Sequence, residues 1–144
     1  MKHKTPFYII LFKVLHAQRG QSRPYMETIG LSPGQPKLLN HLAQHGECLQ
    51  KELAAALDVE PGTISKLLTA MEEDGYITRS SIAGDRRAIQ IAITEEGRRR
   101  QQLYSSHMDQ VAAQMMQDFS AEEREAFEDL LCRAYRNLTG KEIL

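Results

Sequence analysis

Short polar and basic side chains recur along one helical pattern near the middle of the chain; they are Thr63, Ser65, Lys66 and Thr69. Hydroxyl and ammonium groups on a helix that enters a groove about 12 Å wide can bond the edges of DNA bases. Arg86 and Arg87 stand in a polar segment between two strand patterns, from which arginines reach phosphates or the minor groove. We also assign Gln50 and Arg79 to this predicted DNA-contacting surface.

The carboxylate of Asp85 is unexpected beside a phosphate backbone. It stands two residues before Arg87, so we predict an intramolecular role. A charge-assisted pair with the guanidinium would hold the direction of the arginine. Asp85 therefore belongs to the predicted DNA-binding set through Arg87.

The helix that carries the polar row is predicted over 61–74, with apolar residues at 3-4-3 spacing on its other face and Gly75 as a left-handed C-terminal cap. A shorter helical pattern over 50–57 precedes it. Two strand patterns, over 76–79 and 88–94, follow it and are joined by a long basic tip. This order of helix, turn, helix and hairpin predicts a winged helix-turn-helix.

Helical patterns flank this module on both sides. The first covers 5–20, is apolar nearly all round and is followed by a loop or an irregular helical stretch. The next starts at Ser32-Pro33, with Ser32 as its cap. Thr94 is the predicted N-cap of a long helix, and Ser120 opens the last helix in a capping box.

These elements predict a mostly α fold with a small β-wing, a winged helix-turn-helix flanked by N- and C-terminal dimerisation helices. We predict a single domain over 1–144, with 32–97 as the DNA-binding region and with 1–31 and 98–144 as the helical dimerisation region. The first helix and the apolar stripe of the last helix offer more apolar surface than one small domain covers. We therefore expect a homodimer.

Composition excludes several other classes of protein. The chain has 144 residues, of which 42% are hydrophobic and 26% charged, as in soluble globular domains. The apolar run after Pro6 is broken by Lys13 and is far shorter than the ~20 residues of a membrane span. Cys48 and Cys132 are too few for a disulfide framework or a four-ligand zinc site. We therefore expect a cytoplasmic protein with no membrane partner.

The net charge of −1 conceals a strong regional asymmetry. Six basic residues against one acid give 1–37 a charge of +5, and six arginines against three acids give 76–100 a charge of +3. Six acids against one arginine give 118–129 a charge of −5. Such a distribution can place a basic face on a nearly neutral protein, which permits nucleic-acid binding.

Five blocks of sequence, in this order and spacing, resemble the MarR family of bacterial transcription regulators. The resemblance covers nearly the whole chain and is strongest from Leu31 to Gly97. The blocks are Gln50-Lys51-Glu52-Leu53-Ala54, Pro61-Gly62-Thr63-Ile64-Ser65-Lys66-Leu67-Leu68, Met71-Glu72-Glu73-Asp74-Gly75-Tyr76-Ile77, Asp85-Arg86-Arg87 and Ile93-Thr94-Glu95-Glu96-Gly97.

The resemblance implies a homodimer whose terminal helices interlock and that sets two winged modules on a pseudo-palindromic site in double-stranded DNA. It implies that Asp85 and Arg87 are the paired wing residues, with Arg87 in the minor groove. It also implies that a small molecule, a metal or an oxidant releases the DNA. Of these triggers we expect a small-molecule effector, and thus a ligand-responsive repressor without a cofactor, with a metal- or thiol-responsive regulator of the same fold as the alternative. Family position gives four residues for the effector pocket: Tyr25, Met26, His41 and Met108.

Other readings of the sequence stay open beside this one. His41 and His45 stand four residues apart on one helix, a spacing that can share a metal, although such a pair is more often solvated; we assign no metal site. Cys48 and Cys132 allow a thiol-responsive regulator, although structural cysteines are commoner. A winged-helix module for protein interaction is the alternative class. The chain shows no glycine-rich phosphate loop or nucleophile elbow, so we predict no enzyme.

Overall fold

The computed structural model describes residues 4–143, and the side chain of Arg86 lies outside the described part. The described helices and strands are α1 (Phe7–Thr28), α2 (Gln35–His45), β1 (Cys48–Leu49), α3 (Gln50–Ala56), α4 (Pro61–Glu73), β2 (Ile77–Ile82), β3 (Asp85–Ile93), α5 (Glu95–Met115) and α6 (Ala121–Thr139). The strands form an antiparallel sheet in the order β1-β3-β2. The predicted mostly α fold with a small β-wing is confirmed.

The chain divides into two compact units, residues 1–109 and residues 110–144. The core of the first unit is built from leucines of α2, α3 and α4 that have no exposed surface: Leu38, Leu39, Leu42, Leu53 and Leu68. Ile77 of β2 and Ile91 of β3 join the same core. Each such side chain contributes about 1.5–3 kcal/mol through burial, so the core fixes α4 and the base of the wing in one arrangement.

The first helix runs to Thr28, so the prediction that it ends near Gly20 was wrong. Pro24 lies inside the helix, where a proline removes a hydrogen bond and costs about 3 kcal/mol. Met26 and Ile29, just beyond the proline, are each only 6% exposed, and burying such side chains contributes about 1.5–3 kcal/mol each. Tertiary packing therefore offsets the local penalty.

The second helix begins at Gln35 and not, as predicted, at Ser32-Pro33. Its N-cap is Gly34, whose φ of 89° lies in the left-handed region, and Pro36 falls in the first turn, where its missing N–H is harmless. Ser32 does not cap the helix; its backbone N–H donates to the buried Gln35 Oε1 at 3.0 Å. The predicted end at Gly46 is confirmed.

The wing is longer and its tip shorter than predicted. Strand β2 extends to Ile82 and pairs there with Asp85, with an irregularity between Ser81 and Ile82. A turn at 83–84 joins the strands, and Gly84 adopts a φ of 86° in it. The prediction of a long basic tip was therefore wrong, because Asp85 and Arg87 are strand residues. Polar side chains on both faces gave this part of the hairpin no alternating pattern.

A third strand completes the sheet. Cys48–Leu49 pairs with β3, Cys48 opposite Ile91 and Leu49 opposite Gln90. This strand was not predicted from the sequence, which indicated only the two-stranded hairpin, because two residues are too few to show a period. This strand joins the end of α2 to the sheet, directly before α3.

Three predicted helix boundaries are confirmed. Gly75 adopts a φ of 81° after α4. Thr94 Oγ1 accepts the Gly97 N–H at 3.0 Å and donates to the Gly75 carbonyl at 2.6 Å, so one side chain caps α5 and ties it to the end of α4. Ser120 and Glu123 form the predicted capping box of α6.

Apolar side chains near both ends of the described chain are exposed. Within Ala121–Thr139, all of which the structure describes, no residue is buried, and Leu138 is 87% exposed. At the start of α1, Phe7 and Phe12 are 73% and 64% exposed. No described helix is both long and apolar enough to cross a membrane.

Candidate nucleic-acid interface

Helix α4 presents the predicted polar row. Thr63, Lys66 and Thr69 are exposed and Ser65 is half-buried, because Ile64, Leu68 and Met71 hold the other face of the helix in the core. The three exposed residues recur every third position, so they follow one side of the helix. Thr63 and Lys66 thereby present a hydroxyl and an ammonium group on the exposed side of a helix of 13 residues.

The Thr69 hydroxyl is already engaged on both sides. Its Oγ1 donates to the Ser65 carbonyl at 2.9 Å and accepts a hydrogen bond from Arg79 Nη2 at 3.2 Å. Thr69 therefore links α4 to the wing, in addition to lying on the predicted DNA-contacting surface.

Arg79, another predicted DNA contact, is bound to α4. Its Nη2 donates to Glu72 Oε1 at 3.2 Å, and its backbone N–H donates to Glu72 Oε2 at 3.1 Å. The Arg79 side chain is 21% exposed. The role of Glu72 was not predictable from the sequence, because a separation of seven residues across a helix end and a turn leaves no recognisable spacing.

At the start of β3, Asp85 binds a different group of Arg87 from the one predicted. Asp85 Oδ1 accepts a hydrogen bond from the backbone N–H of Arg87 at 2.9 Å. Within the described structure the Asp85 carboxylate therefore binds the main chain, and the predicted pair with the guanidinium is not formed. Asp85 shapes the backbone of the wing, while the Arg87 side chain remains exposed. Arg86, also predicted here, has a side chain outside the described residues.

Gln50, at the start of α3, lines a cavity of about 230 Å³. The other lining residues come from α3, α4 and β3 and are Lys51, Ala54, Pro61, Ile64, Arg87 and Ile89. Gln50 Oε1 is buried and has no hydrogen-bond partner in the described part of the chain. The structure thus brings Gln50 and Arg87, which stand 37 positions apart in sequence, to the same cleft between the helix pair and the wing.

A second cavity, of about 270 Å³, lies among α1, the start of α2 and α5. Three cations, Arg19, Arg23 and Lys37, and the half-buried Tyr104 line it together with apolar side chains that include Met26. Burial raises the pKa of the Tyr104 phenol further above neutral pH, where a tyrosine keeps its proton in any case. The two arginines were not predicted here, because a helix that ends at Gly20 separates them; only a continuous helix places positions 19 and 23 on one face.

Of the four residues predicted for an effector pocket, Met26 lines this cavity. Tyr25 stacks on His107, with ring centroids 4.2 Å apart, and His107 Nε2 lies 3.0 Å from the Gln21 carbonyl oxygen. His41 packs on the ring of His45 at 4.5 Å. Met108 is half-buried in α5.

His41 and Cys48 bear on the alternatives of a metal-responsive and a thiol-responsive regulator. Burial and the neighbouring His45 lower the pKa of His41, and the described residues include no cluster of three or more His, Cys, Asp or Glu that could hold a metal. Burial, followed by the charge of Glu52, raises the pKa of the Cys48 thiol. A raised pKa reduces the thiolate that reacts with oxidants.

The helix pair α3–α4, the exposed row on α4 and the sheet that follows define a winged helix-turn-helix protein. The MarR family profile matches residues 31–89. The HTH-type transcriptional repressor YetL of Bacillus subtilis (strain 168) is 30% identical over 135 residues, which cover 92% of this chain and 80% of YetL. The chain belongs to the MarR family, and it is a DNA-binding regulator of transcription.

Solved structures share the fold over nearly the whole chain. The S. aureus MepR–DNA complex gives a TM-score of 0.83 at 22% identity, covering 93% of this chain and 99% of that one. NadR in complex with 4-hydroxyphenylacetate gives a TM-score of 0.74 at 21% identity, covering 93% and 96%. At these identities the likeness establishes the fold alone.

Proposed function

We propose that the chain is a cytoplasmic, homodimeric repressor without enzymatic activity, which binds a pseudo-palindromic operator through α4 and the wing. The observation that carries the proposal is the exposed row of Thr63 and Lys66 on α4 beside a wing that exposes Arg87. Lys66 and the hydroxyl of Thr63 would meet base edges or phosphates in the major groove. Arg87 would enter the adjacent minor groove or bind its phosphates. The repressor YetL and the DNA-bound MepR support this assignment.

The proposed dimer assigns a use to the exposed apolar faces. Residues 32–97 would form the DNA-binding region, and residues 1–31 and 98–144 the dimerisation region. Phe7 and Phe12 near the start of α1, and Leu131 and Leu138 on α6, expose apolar surface in the single chain. Soluble monomers rarely leave such faces uncovered, and burial against a second copy would remove them from water.

The spacing of the two recognition helices would then control affinity. Two half-sites on one face of B-DNA stand about 34 Å apart or at a multiple of that distance. A ligand that binds more tightly to a dimer with another spacing weakens DNA binding by the ratio of its two affinities.

The cavity beside α1 fits a small anionic effector. Arg19, Arg23 and Lys37 supply positive charge, Tyr104 supplies a protonated hydroxyl, and Met26 supplies apolar surface. A short aromatic or aliphatic carboxylate matches this combination, since guanidinium groups bind carboxylates through paired hydrogen bonds. NadR, which shares the fold, is known with 4-hydroxyphenylacetate, a molecule of this chemical class.

Fluorescence anisotropy tests the DNA-binding assignment. The protein is titrated into labelled duplexes from upstream of its own gene, or into duplexes obtained by selection, with an unrelated duplex as reference and at several salt concentrations. Lys66→Ala and Arg87→Ala are expected to weaken specific binding by about 1–3 kcal/mol. Arg124→Ala is the matched control, since it removes an exposed cation of α6 that pairs with Glu128 at 3.3 Å. Unchanged affinity in both test variants would contradict the assignment, and so would a wild-type protein that prefers no duplex.

The effector site is tested with 4-hydroxyphenylacetate as the probe. We expect millimolar probe to weaken operator binding by the wild-type protein and to act less on Arg23→Gln, which removes one cation from the cavity. Arg133→Gln on α6 is the control and should respond like the wild type. Equal responses of all three proteins would place the effector elsewhere.

A further inference from the structure

We propose that Glu72 and Arg79 form a clamp that sets the direction of the wing relative to α4, so that Arg79 is a positioning residue for DNA binding and not a DNA contact. The inference rests on the proposed function, because it assumes that α4 and the wing engage one DNA site together. It replaces the sequence-based assignment of Arg79 to the contact surface.

The clamp uses both carboxylate oxygens of Glu72 and two donor groups of Arg79. Each carboxylate oxygen of Glu72 accepts a separate hydrogen bond, Oε1 from Arg79 Nη2 at 3.2 Å and Oε2 from the Arg79 backbone N–H at 3.1 Å. The same Nη2 also donates to Thr69 Oγ1 at 3.2 Å. One strand residue is thereby attached to two residues of the last turns of α4.

The clamp lies at the root of the wing. Along β2, Ile77 is buried, Arg79 is half-buried, and every later residue to Ile82 is exposed. Opposite Arg79 stands Ile91, which has no exposed surface. Arg79 is therefore the last residue along β2 that is not exposed, and beyond it, among the described residues of the hairpin, only the partner strand β3, through Ile89, packs against the core.

A projecting hairpin amplifies small rotations at its root. From Arg79 to Ile82 the strand extends about 10 Å at its usual rise per residue, so a tilt of ~10° moves the tip by about 2 Å. A hydrogen bond tolerates only about 0.5 Å in donor–acceptor distance. Loss of the clamp would therefore misplace Arg87 while α4 keeps its own position in the core.

Because Glu72 is negatively charged, its two possible roles predict opposite changes in DNA affinity when the charge is removed. Glu72 is an acid next to the proposed DNA surface, and its removal by itself reduces repulsion of the phosphates. If Glu72 acts only as a charge, Glu72→Gln strengthens binding. If Glu72 holds Arg79, the same substitution weakens specific binding. Glutamine carries no negative charge, and its amide accepts hydrogen bonds through one oxygen only, whereas both carboxylate oxygens of Glu72 accept from Arg79.

The experiment compares Glu72→Gln, Arg79→Gln, the double variant and Arg79→Lys with the wild type, by anisotropy on a specific and an unrelated duplex over a range of salt. Glu73→Gln is the matched control, because Glu73 is the next acid on α4 and is exposed. We expect Glu72→Gln and Arg79→Gln each to weaken specific binding about tenfold, the effect of one misaligned contact. The double variant should lose no more than the single ones, and binding to the unrelated duplex should hardly change.

The remaining variants separate a positioning role from a direct contact. Lysine keeps the charge but lacks the planar fork that reaches two acceptors, so Arg79→Lys should lose about as much as Arg79→Gln. A direct phosphate contact would instead survive in Arg79→Lys, and Arg79→Gln would lower the salt slope by about one. Thermal melting of each variant serves as the folding control, since a partly exposed ion pair contributes little to stability.

Three results would overturn the clamp. The first is a Glu72→Gln variant that binds the specific duplex as tightly as, or more tightly than, Glu73→Gln. The second is additive losses in the double variant. The third is the lower salt slope that marks a phosphate contact. In each case Arg87→Ala still reports on the wing itself, so the proposed function can stand while the clamp falls. A wild-type protein that selects no DNA would overturn both.

Discussion

The winged module and the C-terminal unit both contain amphipathic helices, but their apolar faces are covered differently. In the module, Leu42 of α2 and Leu68 of α4 have no exposed surface. On α6, Leu131 is exposed and Leu138 is 87% exposed, although both belong to an equally regular apolar stripe. Helical periodicity therefore shows that a face is apolar, and only packing shows whether the same chain covers it. In the proposed dimer, a second copy of the chain would cover the apolar face of α6.

The largest expected effect separates these two kinds of leucine. Leu68→Ala should lower the free energy of unfolding by about 2–5 kcal/mol, because it leaves a cavity in a closed core. The cost of Leu138→Ala should be smaller and confined to the association of two copies, so that it vanishes on dilution. Urea unfolding at two protein concentrations measures both. Equal losses at every concentration would mean that the two faces do not differ in this way.

A pair of glycine substitutions sharpens the comparison at the level of single contacts. A Cβ on Gly97 would collide with the carbonyl of Tyr76, which is backbone and cannot move aside, whereas a Cβ on Gly20 meets nothing within 4 Å. Gly97→Ala should therefore cost about 1–3 kcal/mol. Gly20→Ala in helix α1 should stabilise by about 0.5–1 kcal/mol. Thermal unfolding of both variants tests the opposite signs, and a stabilised Gly97→Ala would refute the packing at this junction.

The winged module and the C-terminal unit each carry one cysteine, so the reactivities of the two thiols test the same difference in burial. Cys48 is half-buried in the module and its thiol pKa is raised by burial and by Glu52, while Cys132 is exposed on α6. At pH 7–8 a thiol-specific reagent should react with Cys132 at least about tenfold faster than with Cys48, because the thiolate is the reactive form. Stopped-flow labelling of Cys48→Ser and Cys132→Ser assigns the two rates. A faster Cys48 would revive the thiol-responsive alternative.

The sequence predicted the parts of the fold whose signals are local. The apolar spacing of α4, its end at Gly75 and the caps Thr94 and Ser120 each depend on residues within one or two turns. The exposed row with Lys66 follows from the same spacing, because one buried face leaves the other free.

Features that depend on distant partners were not predictable in this way. Pro24 is locally a helix breaker, and only the burial of Met26 explains why α1 continues past it. The Glu72–Arg79 clamp joins a helix end to a strand, so neither the 3.6 nor the 2.0 period contains it. The same limit hid the cations of the α1 cavity, since Arg19 and Arg23 become neighbours only in the longer helix.

The smallest expected effect concerns pH at the start of α5. Hydrogen bonds from Arg99 and then Arg100 lower the pKa of Glu96 from 4.5 to about 2. A carboxyl whose folded pKa is lowered stabilises the fold above its unfolded pKa, and this contribution is lost as pH falls from about 4.5 toward 2. Glu96→Gln should therefore flatten the acid limb of the melting-temperature profile slightly. Glu95→Gln, its neighbour in the same turn, is the control and should leave that limb nearly unchanged; equal profiles would contradict the assignment.

Sedimentation velocity of the full chain, alone and with a labelled operator duplex, tests the central contrast most directly. We expect a species of twice the 16.4 kDa chain mass, one such dimer on each operator, and conversion to the single chain by Leu131→Asp, which introduces a charge into the exposed apolar face. Asp129→Asn, on the same helix, should remain dimeric. A wild-type chain that sediments as a monomer at micromolar concentration, or that binds the operator as one copy, would contradict the account.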